Sequence, residues 1–169
     1  MALRTIRTIG ESVLEKQCKA VTEVTDRIDV LIEDMFETMY EAQGVGLAAP
    51  QVGVLKRLFV IDVGDENGDS DPIVIINPEV LEVSGEQTDF EGCLSVPGKV
   101  GRVTRPNYAK VKGFDRNMNP IIVEGEGLKA RALLHENDHL DGHMYVEKVE
   151  GRLYTNEELD EMLDDEIED

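Results

Sequence analysis

Apolar residues fall at helical spacing in one early stretch of the chain. Ile28, Leu31, Ile32, Met35, Phe36, Met39 and Tyr40 recur every three or four positions, the repeat of a helix that buries one face. Thr25 or Asp26 can cap its start, and Gly44 stands where a C-cap glycine would. The pattern therefore predicts a helix over 26–43, with its methionine and aromatic stripe in the core. The stretch 44–53 is small, apolar and interrupted by Pro50, which predicts a loop folded inwards. β-like runs follow at 57–63, 73–77 and 80–84, with a polar turn at 65–71. Two more, 110–115 and 120–124, flank Arg116-Asn117-Met118-Asn119, which reads as a hairpin turn. A second helix is expected from 125–128 to Leu140, ending by Gly142. The first 24 residues read as irregular with short extended pieces. The order is helix, strands, helix, tail, which is an α+β domain with antiparallel sheet. With no repeat and no Pro/Gly/Ser-rich linker, residues 1–169 are expected to form a single domain.

Composition narrows the function classes. The chain is 41% hydrophobic and 31% charged, as in a globular protein, and no apolar run approaches the length of a membrane span. The N-terminal residues carry no secretory-signal pattern, and Cys18 and Cys93 do not form a disulfide framework. A reducing cytoplasm is the expected location. Seventeen basic residues against 36 acidic ones give a net charge of −19. That excludes nucleic acid as a direct ligand, since phosphate binding needs Lys/Arg patches. Nine of the thirteen residues from Glu157 to Asp169 are acidic, which reads as a solvated tail or a charged terminal helix.

The chemistry concentrates in His135-Glu136-Asn137-Asp138-His139. Histidines four apart share one helix face and can grip one metal ion. Glu136 points about 100° around the helix, so it can flank the ion without ligating it and take a proton from its water. Two of the chain's three histidines lie in this motif. The preceding segment is helix-forming and partly apolar, so the pair is expected to be semi-buried. His143 follows the helix-breaking Asp141-Gly142 and reads as an ordinary polar residue, and Cys18 as packing or surface. Cys93, in Glu91-Gly92-Cys93-Leu94-Ser95, is either a small core residue or a third, thiolate ligand. A three-ligand site leaves one position open, as catalysis requires. Gln51 sits among apolar neighbours, where its amide could donate to an oxyanion.

Three motifs together resemble one family. Gly44-Val45-Gly46-Leu47-Ala48-Ala49-Pro50-Gln51, Glu91-Gly92-Cys93-Leu94-Ser95 and the histidine motif look like the signatures of bacterial peptide deformylases, in order and separation. The likeness runs from Ile9-Gly10 to Arg152-Leu153. It implies an α+β fold, antiparallel sheets packed around a central helix carrying the histidines, with a C-terminal helix. It implies removal of the formyl group from formyl-methionine of nascent chains, releasing formate, by attack of metal-bound water. Cys93, His135 and His139 would bind one divalent ion, natively Fe(II), with Zn, Ni or Co possible in purified protein. Glu136 would be the general acid/base. Gln51 and the Leu94 N–H would stabilise the oxyanion, and Val45 and Gly46 would contact substrate. Asp138 either braces the helix through Arg105 or is solvated. Asn137 stands where many relatives are apolar, with packing consequences expected. Some relatives dock on the ribosome through a basic C-terminal helix; the acidic end here argues against that mode. The rival readings are a zinc metallopeptidase, which usually takes a His or Glu as third ligand, a structural metal site, which needs a fourth protein ligand, and a family member with altered substrate or lost activity. The intact Gln51, Cys93, Glu136 and both histidines argue against loss.

Overall fold

The computed structural model describes residues 2–168. The first amphipathic stretch forms helix α1, Asp26–Glu41, capped by Thr25, whose hydroxyl accepts from the Ile28 N–H at 3.3 Å. It ends two residues earlier than the periodicity suggests. Gln43 adopts a left-handed conformation (φ 59°), and the Gly44 N–H closes the last turn on Met39 O at 3.0 Å. Gly44 is therefore not the left-handed cap. A Cβ there would lie 2.7 Å from Leu94 Cδ1, so the glycine serves a close approach of two loops.

Two antiparallel sheets follow. Strands β1 (Gly46–Ala48), β2 (Leu58–Ile61), β3 (Ile73–Ser84), β6 (Tyr108–Phe114) and β7 (Pro120–Glu126) make a five-stranded sheet in that order. Strands β4 (Gln87–Cys93), β5 (Val96–Arg105) and β8 (Glu150–Thr155) make a three-stranded one. Helix α2, Leu128–Leu140, matches its expected span, and helix α3, Asn156–Glu168, closes the described chain. No helix among the described residues is long and apolar enough to cross a membrane.

Strand β2 is buried along its whole length. Its Leu58 and Val60 join Leu31, Ile32, Met35 and Met39 of α1 in one core cluster. Its Phe59 and Ile61 join Ala132, Leu133 and Leu140 of α2 in another. The five-stranded sheet thus lies between the two helices, and this double burial explains why β2 shows no apolar–polar alternation. A third cluster, including Val96, Val103 and Tyr145, lies on the three-stranded sheet.

Several expectations are corrected. Residues 73–84 form one strand, because pairing with β6 resumes after a register shift between Ile76 and Glu79, where Asn77 (φ 53°) bends the strand. Residues 44–53 are not all loop: they hold β1 and a 3₁₀ turn, Ala49–Val52. Strands β4 and β5 escape the pattern. Of β4 only Glu91 is buried, a charged residue where a core strand would carry an aliphatic one. The acidic end follows β8 as the charged terminal helix that the resemblance implies. The hairpin between β6 and β7 forms as read, with Asp115 Oδ1 accepting from the Asn117 and Asn119 N–H groups at 2.9 and 3.0 Å.

Candidate metal centre and active site

Helix α2 carries His135, Glu136 and His139 on its buried side, at 7%, 4% and 1% exposure. The histidines are thus more deeply placed than semi-buried. Cys93 reaches them from the end of β4, where the pairing with β5 shifts register and Leu94-Ser95 makes the turn. The His139 Nε2 lies 3.2 Å from His135 Nε2 and 3.4 Å from Cys93 Sγ. The three ligand atoms all lie within 4.8 Å of one another. His135 Nδ1 faces Glu91 Oε2 at 2.5 Å, which commits that nitrogen and leaves Nε2 to face the cluster. Two imidazole nitrogens and a sulfur converging on one point make a donor set for a cation.

The electrostatics agree. Burial works against a charged His135 ring, but Glu136, Cys93 and Glu91 outweigh it and raise its pKa well above the usual range. The negative groups that hold a proton there would equally hold a metal cation. Burial pushes His139 well below the usual range, so that ring is neutral with a lone pair to offer. Burial also lifts the Glu136 carboxyl to about 7, against the pull of His135. Its Oε2 lies 3.9 Å from His135 Nε2, and its buried Oε1 has no partner among the described residues. Such a carboxyl is placed to exchange a proton near neutrality.

Gln51 sits in the 3₁₀ turn, 1% exposed. Its Oε1 accepts from the Ala48 N–H at 2.9 Å, and its Nε2 donates to Ser95 Oγ at 3.0 Å and lies 3.4 Å from Cys93 Sγ. The N-terminal segment straps this corner from outside: the Arg7 N–H donates to Gln51 O and the Ile9 N–H to Ser95 O, at 2.7 and 2.8 Å. Gln51, Val45, Gly46, Cys93 and Leu94 line a cleft of about 590 Å³ with His135 and Glu136. A Cβ on Gly46 would collide with the Glu136 carboxylate, so glycine is the residue that lets β1 pass beside the acid.

All the residues expected at the site come together. Arg105 Nη1 donates to Asp138 Oδ2 at 3.0 Å, the bracing contact rather than the solvated alternative. His143 pairs with Glu147 in solvent and is not part of the ligand cluster. Cys18 is buried, its thiol raised to about 11 by that burial. The Asn137 Oδ1 is buried and has no partner among the described residues. Glu91 is the residue the sequence reading missed. Burial raises its carboxyl, but hydrogen bonds from His135 and Arg105 reverse this and hold it far below the usual range. An acid two residues before the cysteine, in a strand with nothing else buried, is the signal that could have found it.

The third donor of the cluster is a cysteine, which disfavours the metallopeptidase reading, and the group that could hold a metal ion stops at three among the described residues, as an open site requires. The model of the polypeptide deformylase family matches residues 3–153. The chain belongs to that family. A peptide deformylase of Lachnoclostridium phytofermentans is 62% identical over 161 residues, covering 95% of this chain and 98% of its own. One of Agathobacter rectalis is 64% identical over 154 residues, covering 91% and 94%. The crystal structure of the Legionella pneumophila peptide deformylase superposes with a TM-score of 0.82 at 45% identity, covering 88% of this chain and 86% of that one. The Ehrlichia chaffeensis peptide deformylase, solved with actinonin, gives 0.84 at 39% identity, covering 89% and 90%. The α+β fold is thus the family's, and the chain is a peptide deformylase-type hydrolase whose family acts on formyl-methionyl peptides.

Proposed function

We propose that this hydrolase removes the formyl group from the N-terminal formyl-methionine of nascent peptides, with one divalent ion held by Cys93, His135 and His139. The convergence of Sγ and the two Nε2 atoms beside a buried acid and a fixed amide carries the reading. When bound, the ion supplies a Lewis acid and a water of lowered pKa. Glu136 takes the proton of the attacking water and returns it to the leaving amine nitrogen, general acid/base work worth about 10² to 10⁴ in rate. The Gln51 Nε2 and the Leu94 N–H donate to the oxyanion on the formyl carbon. Gln51 is locked for this role, since its Oε1 is already bound to Ala48. Val45 and Gly46 contact the substrate backbone, and apolar residues of the cleft such as Ala132 receive the methionine side chain. A formyl group fits a narrow site that excludes acetyl.

Fe(II) is the proposed native ion, with Zn, Ni or Co able to replace it in purified protein. Thiolate-ligated Fe(II) is oxygen-sensitive. The chain works as one catalytic domain, on nascent chains in the cytoplasm, with no direct nucleic-acid or membrane binding and at most a transient ribosome contact. The test is formate release from formyl-Met-Ala-Ser, measured anaerobically on Fe(II)-loaded protein, chelated protein and Glu136→Ala. Release that requires metal and is lost in the variant is expected. No release from folded, metal-loaded protein would sink the reading.

A further inference from the structure

Arg131 lies one turn before His135 on α2, is 5% exposed, and lines the cleft. Its Nη1 donates to Glu91 Oε1 at 2.7 Å, and its Nη2 donates to the backbone oxygen of Val103 at 3.1 Å. Glu91 belongs to β4 and Val103 to β5. One guanidinium thus spans the helix that carries two of the ligands and the sheet that carries the third. Glu91 in turn holds His135 Nδ1 through its Oε2. Arg105 shares both Glu91 oxygens at 2.8 Å, but its remaining nitrogen is drawn to Asp138, whose side chain is 25% exposed. Without Arg131, Glu91 Oε1 would keep only its bond from Arg105, and the tie from α2 to Val103 of β5 would be lost.

We propose that Arg131 is a positioning residue of the metal centre, fixing His135 through Glu91 and setting the separation of α2 from the strand that ends in Cys93. The proposal rests on the reading of Cys93, His135 and His139 as metal ligands. A buried charge must earn its desolvation cost by its partners. Here the partners are a carboxylate and a carbonyl on two neighbouring strands, which a planar fork can engage together and a lysine ammonium, a single point charge, cannot hold as rigidly. Groups that orient a ligand from behind typically contribute about 10- to 100-fold in metal affinity, and Arg131 acts on such a group.

The experiment uses Co(II) as the probe, with affinity read by chelator competition and geometry by visible absorption. Wild-type protein is expected to show thiolate-to-cobalt charge transfer that Cys93→Ser abolishes. A wild-type spectrum without it would sink the metal-centre reading and this proposal with it. Arg131→Met keeps an apolar stem against the cleft and removes the fork. It is expected to bind Co(II) about tenfold more weakly and to shift the ligand-field bands, lowering kcat more than it changes KM for formyl-Met-Ala-Ser. Arg131→Lys should recover part of the affinity. In a Glu91→Gln background the Arg131→Met effect on affinity should largely vanish, because the route through Glu91 is gone. Folded Arg131→Met with wild-type affinity and bands overturns the proposal, as does an equal loss in the Glu91→Gln background. If Arg131→Met does not fold, Arg131→Lys decides: weaker Co(II) binding with shifted bands supports the role, and wild-type values overturn it.

Discussion

At the level of single residues, the site is built from small groups as much as from reactive ones. Gly46 passes beside Glu136 with no room for a Cβ. Gly46→Ala should push the carboxylate from its place while leaving Cys93 and the histidines untouched. The expected outcome is a loss of about 10² to 10⁴ in kcat/KM, the full worth of general acid/base work, with metal content unchanged by elemental analysis. An unchanged kcat/KM would mean that Glu136 does not act from its observed position. Glu91 shows the limit of reading single residues. Its neighbours in sequence, Gly92 and Cys93, could be weighed by type, but its importance comes from Arg105 on β5 and from Arg131 and His135, one turn apart on α2. Nothing local to Glu91 names those partners.

At the level of elements, legibility followed how each element is buried. Helix α1 and helix α2 were visible because one face of each is packed and a helix of that kind repeats its apolar residues. The β6–β7 hairpin was visible through its turn chemistry. Strands β4 and β5 were not, because the inward residues that matter on β4 and β5 include Glu91 and Arg105, which bond each other and His135 and Asp138 of α2 instead of joining the core. The same junctions of elements make a pH-dependent contact. Asp62, just after β2, accepts from Tyr40 of α1 at 2.6 Å and from the Asp71 and Gly64 N–H groups at 2.8 and 3.0 Å. Partial burial raises its carboxyl, but these bonds and that from Ser70 reverse the effect and bring it to about 2. A carboxyl with a depressed folded-state pKa adds stability above its unfolded value of about 4, and that stability is lost as pH falls towards the folded value. Urea unfolding should therefore show Asp62→Asn less stable than wild type at pH 6, with the gap closing between about pH 4 and pH 2. A gap that persists at pH 2 would assign the effect to something other than the charge.

At the level of the whole molecule, charge is the distinguishing property. The acidic end is a capped helix, with the Thr155 hydroxyl accepting from the Glu158 N–H at 3.0 Å and Glu158 Oε1 accepting from the Thr155 N–H at 3.2 Å. This reciprocal pair starts α3, and the Glu157 and Glu158 carboxylates suit its positive end. The helix begins at Asn156, which lines the same cleft as His135 and Glu136. Substrate therefore approaches a cleft flanked by an acidic helix on a chain of net charge −19. Such a field repels RNA phosphates and raises the local concentration of cationic peptides. It predicts opposite salt dependences for two substrates that differ only beyond the methionine. From about 20 to 300 mM salt, kcat/KM for formyl-Met-Lys-Lys should fall about three- to tenfold, while that for formyl-Met-Glu-Glu should rise. Initial rates at low substrate, with the ion held fixed, measure both. Parallel responses of the two peptides would show that the acidic surface does not act on substrate at all, and that the cleft alone sets which nascent chains are processed.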